Sequence, residues 1–214
     1  GIIKYIHGMK KIIFFLVALS MSCKSDNNKA NEFYPIEVSI NNIAMQKYQD
    51  YILGYREDEE VLDTVLFELN RAIDIDSSNY VFYTNKATVL SLLNQDTNAI
   101  KALEKATKIK PNFAENLMYL GLMNESIGAD SIANSWYSQA INAYDERIEN
   151  DQSIVSNKIN RAYLLFFTEG KERALKAFEI VKLEHPYSEE VIFMEPLFKE
   201  FDRKEALNNF LPSK

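Results

Sequence analysis

The chain has 214 residues, of which 47% are hydrophobic and 26% charged, with 6 Gly and 5 Pro. This is enough apolar material for a sizeable core, and too little Gly and Pro for a low-complexity or loop-dominated chain. The net charge is −7; residues 1–22 hold Lys4, Lys10 and Lys11 and no acid, which leaves 21 basic against 31 acidic residues in the rest. An acidic body argues against nucleic acid as a partner, because that binding is driven largely by Lys and Arg neutralising phosphates, and against docking of the folded part on an anionic membrane surface.

The first segment in chain order runs Met9-Lys10-Lys11, then the apolar run Ile12 to Leu19, then Ser20-Met21-Ser22-Cys23. A short basic region, an apolar stretch and small residues before a cut form the pattern of a secretory signal. As a helix the apolar run spans about 12 Å, too short for a bilayer core of roughly 30 Å. Residues 1–22 are therefore read as a signal peptide with an upstream extension. Cys23 is the only Cys of the sequence, so no intrachain disulfide is expected. Its surroundings resemble the lipobox of bacterial lipoproteins. Ser22 fits that pattern, while Ser20 stands where the family prefers Leu. The resemblance implies lipidation of Cys23, and with it a membrane anchor outside the cytoplasm, periplasmic or on the outer membrane. The alternative is a plain secreted protein cut after Ser22. Residues 23–35, polar from Lys24 to Asn31, are expected to form a disordered tether. The polar stretch after the Cys weakly resembles surface-export signals of some Bacteroidetes.

The body repeats itself. Ala99, Leu103 and Ala106 recur as Ala133, Tyr137 and Ala140, and again as Ala174, Phe178 and Val181; Ala87, Gly121 and Ala162 each stand twelve places before the first member. Pro111 and Pro186 follow the first and third sets, where they stop a helix. Gly128 and Gly170 sit where a turn between paired helices needs a permissive backbone. Small residues at these spacings let two helices approach closely, and apolar ones fill the face between them.

The pattern resembles tetratricopeptide repeats over about three quarters of the chain. Repeats start at Tyr80, Ala114 and Val155, and the last offset is 41 rather than 34, which puts an insertion near 149–153. The resemblance implies an all-α, right-handed solenoid of helix pairs with a C-terminal capping helix. The expected organisation is a divergent N-terminal repeat at 36–79, three repeats at 80–187 and capping helices at 188–214. The divergent repeat is read from Gln46, with Ile52, Leu53, Val65, Leu69 and Ala72 at its apolar places. In the cap, Pro196 is expected to kink or split a helix over Tyr187–Phe201. Asp202 is expected to cap a last helix, Arg203 to Phe210, with Ala206, Leu207 and Phe210 inward.

No Cys–His, Ser–His–Asp or carboxylate–His ligand spacing occurs, so no catalytic residue, metal or cofactor is expected. His185 lies in the turn before Pro186 and is read as structural. Asp58 and Glu60 suit a helix start. What remains is binding surface. In the resembled family the first helix of each pair lines a concave groove, and in this sequence none of the fifteen groove positions is Lys, Arg or Asn. A clamp for a partner's C-terminal carboxylate is therefore not expected. The apolar row Met118, Leu122, Ile159, Tyr163 and Phe166 is the candidate peptide-binding groove, with at least part of it open to solvent. The competing reading is that Tyr163 to Phe167 is core, packed against the inserted segment or the cap. The expected function is non-catalytic binding of another protein or peptide. The runner-up is a permanent subunit of an envelope assembly, resembling the repeat lipoproteins of outer-membrane assembly. A glycan-acting enzyme is the least favoured.

Overall fold

The computed structural model describes residues 34–210 apart from 57, 59, 151 and 153; Cys23 and the expected signal and most of the tether lie outside the described residues. Within them are ten helices and no strand: α1 (Ile36–Ile52), α2 (Glu60–Ile75), α3 (Tyr80–Leu92), α4 (Asp96–Ile109), α5 (Ala114–Ser126), α6 (Asp130–Glu149), α7 (Ile154–Thr168), α8 (Lys171–Glu184), α9 (Glu189–Lys199) and α10 (Arg203–Phe210). The fold is all-α and built of packed helix pairs, as the repeat pattern predicts. It divides into two units: unit 1 up to Pro111, and unit 2 from Asn112 to Asn208.

In unit 1, α1 packs on α2 and α3 on α4, with α2 joining the pairs through α3. Local chemistry sets the starts of α2 and α3. The Asp58 carboxylate accepts the Glu60 amide at 3.0 Å, and the Asn79 side chain accepts the Val81 amide at 3.1 Å. Each satisfies an amide that the first helical turn leaves orphaned. The core is aliphatic: Ala44, Val61, Leu62, Val65, Leu69 and Val89 are buried, with Met45 and Tyr48 among them. One buried polar pair crosses it, the Asn85 amide donating to the Asn41 side-chain oxygen at 2.8 Å.

The divergent repeat needs one correction. Val65, Leu69 and Ala72 are fully buried as expected, but Leu53 is half exposed and lies in the turn after α1. The first helix of this pair starts at Ile36, at the beginning of the expected 36–79 segment but ten places before the repeat register counted from Gln46, and buries Ile40, Ala44, Met45 and Tyr48. The physical reason is a longer connection. Ala44, the small residue of α1, precedes Val65 by 21 places, against twelve in the later pairs.

In unit 2, α5 packs on α6 and α7 on α8, with α6 against α7, and α9 lies on α7 and α8. The first helices of two successive pairs, α3 and α5, end alike. Asn94 and Gly128 take left-handed backbone (φ 58° and 81°), and the next amide in each, Gln95 or Ala129, bonds back to the carbonyl of Leu90 or Asn124. This satisfies terminal carbonyls and reverses the chain within a few residues. The 41-place offset is taken up largely by α6, 20 residues long against 14 for α4 and α8. Its extra turns carry Arg147 to the Glu115 carboxylate at 2.7 Å, with the guanidinium also over the Phe113 ring. Pro196 lies inside α9 without splitting it. Asp202 caps α10, accepting the Glu205 amide at 2.7 Å, and Ala206 is buried.

Gly121 shows how closely a pair approaches. A Cβ there would meet the Tyr137 ring at 2.3 and 2.4 Å, so only Gly lets the buried ring lie on the α5 backbone.

Candidate binding face at the ends of α5 and α7

Met118 and Leu122 stand on α5, and Ile159, Tyr163 and Phe166 on α7. All five are buried, Leu122 at 0% and Tyr163 at 2% exposure. The expectation of a solvent-open apolar row is corrected here. For Tyr163 and Phe166 the reason is a set of rings from the cap. Phe201 stacks on Phe166 at 3.8 Å between centroids, 13° from parallel. It also meets Tyr163 edge-on at 5.7 Å and Phe167 at 5.6 Å. Phe198 of α9 lies 6.0 Å from Tyr163 and 5.3 Å from Phe166, and stacks on Phe178 of α8 at 4.0 Å. Offset and edge contacts of this kind add to plain area burial. The alternative of core packed against the cap describes Tyr163 and Phe166 as they stand.

A polar rim borders these rings. Glu125, in the last turn of α5, is a tenth exposed on its side chain. One of its oxygens accepts the Tyr137 hydroxyl at 2.8 Å, and the other accepts Arg203 Nε at 2.6 Å. A second nitrogen of Arg203 donates to the main-chain carbonyls of Phe166 and Phe167, at 3.3 and 3.2 Å. Those carbonyls belong to the last turn of α7, whose helix supplies no amides for them and whose dipole is negative there. The guanidinium also lies 5.3 Å from the Phe167 ring centroid. Glu125, Phe166 and Phe167 are all groove positions by sequence register. Phe201 and Arg203 were not anticipated. Nothing near them in sequence points to Glu125, 78 places away from Arg203.

Burial pushes both Tyr137 and Tyr163 far above the usual phenol value, and the hydrogen bond to the Glu125 carboxylate pushes Tyr137 further. Among the described residues no group of three or more His, Cys, Asp or Glu converges on a metal position. Nor is any described helix long and apolar enough to cross a membrane. What the face can do is hold a cation beside an aromatic ring.

No protein-family model and no curated protein matches the chain. Among solved structures it is similar to a crystal structure of MamA, 17% identical, with 78% of this chain and 83% of that one covered and a TM-score of 0.43. A second MamA crystal structure is 16% identical, with 78% and 95% covered and a TM-score of 0.39.

Proposed function

We propose that this protein is a non-catalytic scaffold that binds another protein or a peptide, held outside the cytoplasm by a lipid on Cys23. The observation that carries the binding part is the face at the ends of α5 and α7, where an aromatic from the link before α10 and the Arg that opens α10 are received by side chains and helix-end carbonyls together. A surface that accepts one short segment in this way is suited to extended peptides. The test is affinity capture from a native membrane extract by the wild type and by Glu125→Ala side by side. A partner retained by the first and lost by the second is expected; identical captured sets overturn this face as the binding site. Anchoring is tested separately. Cys23→Ser should move the protein from the membrane to the soluble fraction with its helix content unchanged, and membrane retention of that variant would sink the anchor.

A second reading, the permanent assembly subunit, is favoured by a different surface. Leu183 on α8, Tyr187 after it and Ile192 on α9 are 80%, 93% and 60% exposed, large apolar side chains left in water. A permanent partner would cover them and co-purify at fixed stoichiometry after detergent extraction.

A further inference from the structure

We infer that the α5–α7 face is a site for a segment carrying an aromatic residue two places before an Arg, and that Phe201-Asp202-Arg203 occupies it in cis, in competition with a partner. This rests on the scaffold reading and names its ligand chemistry. Three observations support it. The slot for the ring is made by Phe166, Tyr163 and Phe167 on three sides. The slot for the cation has acceptors of its own: the Tyr137 hydroxyl bonds one Glu125 oxygen, the other accepts the Arg donor, and two helix-end carbonyls beside it accept a second. The two slots are spaced for residues i and i+2 where a non-helical stretch runs into a helix, since Phe201 and Asp202 lie between α9 and α10 and Arg203 opens α10.

The cation end of the occupant is held lightly. Arg203 remains 46% exposed on its side chain, and the helix it opens has eight residues, too few to persist by itself. Short elements of this kind open at low free-energy cost. Tethering gives the segment a high local concentration, so a partner binds only the fraction of molecules in which the site is empty.

The test uses the full chain and a fluorescent peptide, Glu-Phe-Asp-Arg-Lys, the sequence of residues 200–204. If the cis segment fills nine sites in ten, emptying the site with Phe201→Ala/Arg203→Ala raises affinity for the peptide about ten-fold over the wild type. Adding Glu125→Ala should remove the gain. A folded double variant that binds no better than the wild type, or a gain that survives Glu125→Ala, overturns the inference; the scaffold reading is judged by the capture experiment instead. Should the double variant lose helix content, hydrogen exchange on the wild type decides. Excess peptide should speed exchange in residues 203–207 and slow it at the end of α7. Unchanged exchange in both places overturns the inference.

Discussion

In unit 1 the repeat positions that set the spacing of α3 and α4 hold Ala87 and Leu103, and in unit 2 the same positions of α5 and α6 hold Gly121 and Tyr137. A smaller residue on one helix is matched by a larger one on the other. The same trade runs through the two cores. Unit 1 is filled mainly with aliphatic side chains, with Tyr48 and Phe82 as separate buried rings; unit 2 ends in interlocked rings from α7, α8, α9 and Phe201. Aliphatic side chains suffice in unit 1, where the α1–α2 pair is covered by α3–α4. At the C-terminal side of unit 2 the covering elements are two short helices, α9 and α10, and the stretch between them. Few residues must then bury much surface, and large flat rings do this with few rotatable bonds.

The largest effect should come from Phe198→Ala, which removes a fully buried ring stacked on Phe178. Truncations of this kind cost about 3–5 kcal/mol. Trp136, the only Trp, lies on α6 and reports unit 2 by fluorescence during urea unfolding. A loss under about 1 kcal/mol, the size of an ordinary surface change, would mean that the rings do not close unit 2.

Next in size is Gly121→Ala. The added methyl would overlap the Tyr137 ring, and overpacking costs about 1–3 kcal/mol. Gly121→Ala/Tyr137→Leu, which copies the unit 1 pairing, should recover part of that loss. A double variant that is the plain sum of its singles would break the volume trade on which the comparison stands.

The smallest effect separates the two units by acid titration. Glu195 of α9 lies between Lys182 and Lys199, which lower its carboxyl from 4.5 to about 2. In unit 1 the Asp76 carboxyl is also lowered, here by hydrogen bonds from the Ser78 hydroxyl and amide. A carboxyl depressed in the folded state stabilises fully above its unfolded value and loses that contribution as pH falls toward the folded value. For Glu195 the window therefore runs from 4.5 down to about 2. Glu195→Gln should flatten that limb of a stability-versus-pH curve, and high salt should weaken it in the wild type by screening the lysines. The Asp76 contribution should persist in salt. A limb insensitive to both Glu195→Gln and salt would remove this distinction.

Most of the fold was legible because its determinants are local. Alanines at fixed spacing, a left-handed Gly and a Pro stop act within one or two turns, and Asp202 identified its helix from a single cap. The longer connection after α1 was not legible, because a loop of variable length leaves no periodic trace; the register was carried by Val65, Leu69 and Ala72 of the second helix and projected back wrongly onto the first. The binding face was half legible. Register put Glu125, Phe166 and Phe167 on it, but whether such residues are open depends on what folds over them. Phe201 and Arg203 arrive from a segment whose own pattern reports only a cap.

Repeat proteins grow by copying and exchanging segments, and the contact between Gly121 and Tyr137 limits what can be exchanged. A copy of α3 placed where α5 stands would bring Ala87 under the Tyr137 ring, and a copy of α4 in place of α6 would leave the Gly121 side of the pair underfilled. Neither helix can be inherited alone. The heritable module is the pair, and among descendants of this chain positions 121 and 137 should change together or not at all.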